Sequence, residues 1–343
     1  MKILNINTDI GINTGLQYSF PLSIISAQSC YRNWIASNYI DLVGGNKQYE
    51  GDINNYHFYL DSYSYADGYN EHDPVLFQNG ITTEILKSNK IHELLHYFID
   101  NKQYIILFVD EYYLPNCLMG DVRHFLHEQL IYGYCEKNMI YYSVGFDKGG
   151  HYTLLEHSFK EIEDAYEKGF DCVVHGNINW AKDNRLISLK LPNYYGDLPL
   201  DKKRYSEKIR NYLSGTLDAK RHYFLTSKIK RYFYGISYYD IIIEDFHSME
   251  AYTLFMHMNH LRDHKYMLKN SFQVYSDLKN KNTPFFLDEI SEIFNSINLL
   301  RKKALKSHVV GKYVRDDFID SINLIKNKEY DLLNSYSALL LEA

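Results

Sequence analysis

The chain has 343 residues, 45% of them hydrophobic and 23% charged, with a formal net charge of -6. This is the balance of an ordinary globular protein, long enough for one large domain or two modest ones with a real core. It argues against nucleic acid or an anionic membrane surface as partner, and the longest apolar runs, such as YIILFV at 104–109, are too short to span a bilayer.

The N-terminal MKILNINTDIGINTG lacks the charged and apolar regions of a signal peptide, so a cytoplasmic protein is expected. MKILNI and LQYSF read as short strands or extended pieces. From Cys30 the period turns helical, with Tyr31, Trp34, Ile35, Tyr39 and Leu42 on one face, and Gly44-Gly45 is expected to stop the helix. YHFYLDSY, 56–63, alternates like a strand. Residues 83–100 read as a helix with Ile91, Leu94, Leu95 and Phe98 facing a core. QYIILFVD, 103–110, is short, continuous and rich in Ile and Phe, the pattern of a buried strand, and Pro115 breaks the chain after it.

HEQLIYGY and MIYYSVGF, joined by the polar loop CEKN, make the best hairpin in the sequence, and HYTLLEH at 151–157 is a candidate third strand. Ser158 and Glu161 form a capping box for a helix running to Gly169. FDCVVHG and LISLKLP follow as strands. Past Pro199 the period is helical over 200–214, 248–280, 284–306 and 314–342, interrupted by YYDIIIEDF. The expected fold class is α+β, with one domain over 1–195 and a mainly helical part over 196–343.

Tyrosine is abundant, at 34 residues. Codon bias in an AT-rich genome would produce this, and so would a wide aromatic binding surface. The four cysteines, Cys30, Cys117, Cys135 and Cys172, fall in no ligand-like spacing and are expected as free thiols.

Cys30 draws attention because it stands where a helix is expected to open. A cysteine at a helix N-terminus faces unpaired backbone N–H groups and the positive end of the dipole, which favours the nucleophilic thiolate. The alternative is a small core residue. A thiolate nucleophile needs a proton acceptor, and the acceptor needs an orienting group on its other ring nitrogen. His127 begins the first strand of the hairpin. With CEKN as the turn, residues 145–147 return opposite it, which makes Asp147 the candidate orienter.

These residues resemble a known layout. A helix-opening cysteine, a later strand-opening histidine, Gly133-Tyr134, a turn and then Asp147 are similar to the papain-like cysteine enzymes. VDEYYLP (109–115), H-x-x-H (His124 and His127), LIYGY (130–134) and GFD-x-x-G-x-Y (145–152) resemble more closely the N-terminal domain typified by butirosin biosynthesis protein H, a papain-like, C39-like branch. The likeness covers roughly residues 20 to 195, and LRDHKYMLKN at 261–270 is similar to the second half of such proteins. The resemblance implies a papain-like fold and acyl transfer rather than proteolysis. An acyl or peptidyl group would pass from the phosphopantetheine thioester of a separate carrier protein to Cys30, then to an amine, forming an amide in natural-product biosynthesis.

On that resemblance Cys30 is the nucleophile, His127 the base and Asp147 the orienter, with no bound cofactor and no metal. Two positions depart from the papain pattern. Ile24 stands where papain has its glutamine, leaving Gln28 as the oxyanion candidate, and Asp147 lies a few residues late. Amide-forming members of the branch imply a short diamine such as 1,3-diaminopropane as acceptor. Asp110 and Glu111 would suit such a dication, and His124 and Trp34 are further candidates for substrate contact.

A carrier protein is usually acidic at its docking helix. Lys202, Lys203, Arg204 and Lys208 lead a run of ten Lys/Arg over 202–231, against Glu207 and Asp218. Such a run can steer an acidic carrier or be an ordinary solvated face. His124 and His127 do not complete the zincin pattern H-E-x-x-H. His257, His260 and His264, with Asp263, share one helix face, where packing or acceptor binding competes with metal ligation. A cysteine hydrolase acting on peptides and a non-catalytic binder of an aromatic metabolite are the competing functions. The hydrolase shares its nucleophile and base with the transferase.

Overall fold

The computed structural model describes residues 1–12, 14–46, 56–61, 76–81, 90–175, 186–193, 198–200, 202–216, 231–279, 284–311 and 317–341. Its strands are β1 (Lys2–Ile3), β2 (Asp41–Asn46), β3 (Tyr56–Asp61), β4 (Phe77–Ile81), β5 (Tyr104–Asp110), β6 (Leu126–Cys135), β7 (Ile140–Phe146), β8 (Tyr152–Ser158), β9 (Leu186–Lys190) and β10 (Arg231–Tyr234). Its helices are α1 (Leu16–Ser26), α2 (Arg32–Asn38), α3 (Ile91–Asp100), α4 (Phe159–His175), α5 (Lys202–Ser214), α6 (Tyr238–Asp245), α7 (Ala251–Lys279), α8 (Pro284–Val310) and α9 (Asp317–Leu341). The fold class is α+β, with an antiparallel sheet and a helical C-terminal part.

The chain divides into two units, Met1–Gln28 with Tyr65–Tyr195, and Ser29–Ser64 with Gly196–Ala343. The sequence reading kept 1–195 together. Residues 29–64, Cys30 among them, instead group with the helical unit, because β2 pairs with β10 and β3, and α2 packs on α7.

The first unit is built on a seven-stranded sheet in the order β4-β9-β5-β6-β7-β8, with β1 added along β6. All seven residues of β5 are buried, which explains their unbroken apolar run. Ile105, Leu107 and Val109 form one core cluster with Leu95, Phe98 and Ile99 of α3 and Ile162 and Ala165 of α4. The capping box forms: Ser158 Oγ accepts the Glu161 N–H at 3.1 Å, and the Glu161 carboxylate accepts the Ser158 N–H at 2.6 Å. The helix it opens runs past Gly169 to His175, so FDCVVH is its last turns and not a strand. LQYSF is likewise helical, inside α1. Nine of the eleven residues of α1 are buried, so no polar face betrays its period.

In the second unit β10, β2 and β3 form a three-stranded antiparallel sheet. The helix from Cys30 is shorter than expected, and Gly44 and Gly45 lie within β2 rather than ending a helix. A Cβ on Gly44 would sit 2.5 Å from the Tyr238 ring, so the glycine marks a close packing contact. YYDIIIED does not interrupt the helices; it is α6, with Tyr238, Tyr239, Ile241 and Ile242 all buried. The described parts of 56–63 and 83–100 are β3 and α3; residues 62–63 and 83–89 lie outside the described residues.

A buried ionic cluster ties α5, α6, α7 and α9 together. Lys265 Nζ lies 2.5 Å from Glu329 Oε1, and both side chains are fully buried. Tyr212 and Tyr239 donate their hydroxyls to the same carboxylate at 2.8 and 2.5 Å. His264 Nδ1 lies 2.9 Å from the ammonium, while its Nε2 bonds the Ile40 carbonyl. His257 bonds Tyr238 OH and His260 bonds the Met256 carbonyl, so this histidine face serves packing. Tyr205, Tyr212, Tyr238, Tyr239 and Tyr336 are among the largest fully buried side chains, so much of the tyrosine is core. Among the described residues no helix is long and apolar enough to cross a membrane.

Breaking a buried pair by removing one partner strands the other charge. Lys265→Met is therefore expected to cost about 3–5 kcal/mol in urea unfolding followed by circular dichroism, with Lys265→Met/Glu329→Leu far closer to wild type. A single-variant loss below about 1 kcal/mol would contradict the ionic assignment.

Candidate active site

The β5–β6 register sets Val109 directly opposite His127 and Asp110 opposite Leu126. Glu111, one residue past the end of β5, is the diagonal neighbour of His127, a spacing that long side chains bridge. His127 Nδ1 lies 2.8 Å from Glu111 Oε1. The glutamate side chain is 0% exposed and the histidine 20%. Glu111 Oε2 accepts the Met119 N–H at 3.2 Å, and Gln129 Nε2 donates to Oε1 at 3.4 Å. A carboxylate on Nδ1 keeps the proton there and leaves Nε2 as the acceptor. Phe125 and Phe146 flank the ring, with centroids at 5.0 and 6.4 Å.

Burial alone would pull the His127 imidazole down. The Glu111 hydrogen bond and the charges of Glu128 and Glu111 outweigh it and hold the pKa above 6.5. Glu128 Oε2 is 3.7 Å from His127 Nε2. This is a fixed, partly open imidazole with a raised pKa, an arrangement suited to proton transfer.

Asp147 is not its orienter. The connection from β5 to β6 folds back beside the end of β7: Cys117 bridges Asp147, and the Leu118 N–H bonds the Phe146 carbonyl. The Asp147 carboxylate turns into its own loop, accepting the Gly149 and His151 N–H groups at 2.8 Å each and lying 3.2 Å from His151 Nδ1. These bonds, the His151 backbone first, hold its pKa below the usual carboxylate range against the opposing effect of burial. Glu111 takes the role that the hairpin spacing assigned to Asp147.

The expected acidic pocket for a dication is also corrected. Consecutive residues leaving a strand point to opposite sides, so the adjacent acids serve different imidazoles. Glu111 holds His127. Asp110 accepts the Tyr112 and Phe125 N–H groups at 3.1 and 3.0 Å and lies 2.7 Å from His124 Nδ1. Both carboxylates are buried and committed to internal bonds.

Cys30 belongs to the helical unit. It is a half-buried free thiol in a 3-10 turn, Ser29–Tyr31, ahead of α2. Its carbonyl accepts the Leu198 N–H at 3.0 Å, and Asn33 Nδ2 donates to the Leu198 carbonyl at 2.9 Å. A seven-residue helix aligns few peptide dipoles, so the dipole argument carries less than the sequence suggests. Gln28 is half-buried, and its backbone N–H closes the end of α1 on the Ile25 carbonyl. Trp34 is half-buried, edge-on to Tyr39 at 6.3 Å.

Of the basic residues, Lys202 and Lys203 are exposed and Arg204 is half-buried. Lys208 is buried, 2.9 Å from the Asp41 carboxylate and bonded to the Asn38 carbonyl. It braces α5 on β2 and cannot meet a carrier. Asp218, Lys220, Arg221, Lys228 and Lys230 lie outside the described residues.

A second thiol–imidazole contact is absent from the sequence reading. Cys117 Sγ lies 3.9 Å from His157 Nε2 and 3.3 Å from Gln129 Nε2. Burial, then the Glu111 charge, pushes the Cys117 thiol up, while burial pushes His157 down to about 4. Both groups are neutral and shielded, so the pair is packing and not a rival centre.

Replacing Glu111 by Gln is expected to drop the His127 titration midpoint, read by NMR, from above 6.5 to below it, because burial then acts against Glu128 alone. The native pair raises the folded pKa, so its stabilisation is full below 6.5 and fades as pH rises through the native midpoint. An unchanged midpoint in Glu111→Gln would show that the glutamate does not set the imidazole.

No protein-family model matches the chain, and no curated protein matches it.

Proposed function

We propose that the protein is a papain-like cysteine acyltransferase, in which Cys30 takes an acyl group from a carrier-protein thioester and passes it to an amine. The observation that carries this reading is the His127–Glu111 pair: an imidazole one-fifth exposed whose Nδ1 rests 2.8 Å from a fully buried carboxylate. The reaction class comes from the resemblance of the residue pattern to butirosin biosynthesis protein H.

The chemistry runs in two balanced halves. Nε2 of His127 takes the Cys30 proton as the sulfur attacks the thioester carbonyl. The carrier thiol leaves with that proton, and one thioester has replaced another. The amine then attacks the Cys30 thioester, the C–S bond breaks, and the thiol is regenerated. Amides are more stable than thioesters, so aminolysis drives the sequence, and dividing one hard step into two is the benefit of covalent catalysis. The Cys30 N–H, with Gln28 beside it in sequence, is the proposed oxyanion contact, and one such donor contributes about 3 kcal/mol. Lys202 and Lys203, exposed on α5, are the remaining proposed contacts for an acidic carrier.

Intact-protein mass after incubation with an acylated carrier tests the reading. Wild type is expected to gain one acyl group, Cys30→Ala none, and His127→Ala to acylate about 100-fold more slowly. Discharge by amine should outpace discharge by water. Rapid hydrolysis of the adduct would mark a hydrolase, and no adduct would mark a binding protein. Lys202→Glu/Lys203→Glu should raise the apparent KM for carrier-bound donor and spare a pantetheine thioester; equal effects on both would remove the docking role.

A further inference from the structure

Behind the His127–Glu111 pair the sheet buries a further layer of polar groups. Gln129 lies two residues after His127 on β6, so the two share a face. Its side chain is fully buried, and both ends of the amide are bonded. Nε2 donates one hydrogen to Glu111 Oε1 at 3.4 Å and the other to Cys117 Sγ at 3.3 Å. Oε1 accepts the Ser143 hydroxyl at 3.4 Å. The opposite amide orientation would set a carbonyl oxygen against the Glu111 carboxylate, so the neighbours decide which end is which. Glu111 Oε1 is also the oxygen that holds His127 Nδ1.

Gly145 of β7 makes room for that amide. Leu130 pairs with Val144, and continuing that register by one residue sets Gln129 against Gly145. A Cβ on Gly145 would lie 2.6 Å from Gln129 Oε1, 2.9 Å from Nε2 and 3.1 Å from Cδ. All three are atoms of the amide, which lies where a side chain at 145 would stand. Gly145 has no positive φ, so glycine serves here for space and not for backbone conformation. An alanine would be accommodated by moving the amide, the far end of a flexible side chain. That movement pulls the amide away from Glu111 and Ser143.

We propose that Gln129 and Gly145 are positioning residues for the base. Gln129 steadies the Glu111 oxygen that keeps the His127 proton on Nδ1, and Gly145 leaves the space in which it does so. Their hold on His127 stands on the geometry alone; their part in catalysis rests on the acyl-transfer reading. Without the amide, the Glu111 carboxylate keeps the Met119 N–H and the imidazole as partners and is freer to turn off Nδ1. The ring then samples the tautomer with its proton on Nε2, which cannot accept one from a thiol. The residues H-x-Q at 127–129 and the glycine of GFD at 145–147 are on this account one device carried by two strands.

Nitrogen-15 NMR of the full chain, above the His127 midpoint, reads the tautomer of that ring and the exchange of its Nδ1 proton with water. Wild type is compared with Gln129→Leu, Gly145→Ala and the double variant, each checked for fold by circular dichroism. Wild type is expected to hold the Nδ1–H form. Each single variant should exchange the proton about tenfold faster and show a share of the Nε2–H form. The double variant should lose no more than Gln129→Leu, because the glycine acts through the amide. Gly145→Ala keeps every polar group, so it carries the test even where Gln129→Leu fails to fold. A lowered stability with the tautomer and exchange unchanged, or a double variant that loses the product of the two single effects, would overturn the role. In the mass assay Gly145→Ala should slow Cys30 acylation about tenfold at an unchanged KM for carrier-bound donor. The NMR changes without any adduct in wild type would remove the acyl-transfer reading and leave the positioning of His127 in place.

Discussion

A carboxylate with no exposed surface must be neutralised or bonded on every side, and Glu111 meets that demand by holding His127. Burying an unpaired carboxylate would cost several kcal/mol. Here the imidazole, the Met119 N–H and the Gln129 amide supply its partners. The arrangement works in both directions. The histidine gives the buried carboxylate a hydrogen-bonded partner, and the carboxylate gives the histidine its tautomer and its raised pKa. Position follows from the sheet. β6 pairs with β5 as far as Asp110, and the Glu111 N–H continues the ladder to the Phe125 carbonyl, which fixes where the residue leaves the strand.

The helical unit solves a similar problem with different parts. Lys265 and Glu329 are both fully buried, and two tyrosine hydroxyls and one histidine complete their bonding. Burial draws the Lys265 ammonium down in pKa while Glu329 pulls it back. A pair of this kind adds little net stability but penalises any packing that separates its members. The tyrosines that make the composition unusual act here as apolar bodies with one polar tip, which suits a core built around a buried carboxylate.

What the sequence disclosed followed how local each interaction is. The β6–β7 hairpin and the Ser158–Glu161 capping box are set by a few adjacent residues, and both stand in the structure as read. The Glu111–His127 pair depends on the β5–β6 register across a connection of fifteen residues, 111–125, and no turn residue fixes that register. Asp147 is the nearer acid by hairpin counting, but its backbone bridges Cys117 and its carboxylate is held by Gly149 and His151 of its own loop. α1 was hidden because it is buried almost all round, and Gly44 imitated a helix stop while serving a close contact with Tyr238. Lys208 looked like surface charge because charge is usually exposed, and only its partner Asp41 explains its burial.

The most direct measurement of whether His127 serves Cys30 is the rate at which iodoacetamide labels Cys30 at pH 7, read by peptide mass in wild type, His127→Ala and Glu111→Gln. A thiol activated by a held imidazole should label about tenfold faster in wild type than in either variant, while the buried Cys117 and Cys135 stay unmodified. Equal Cys30 rates in all three proteins would contradict the pairing.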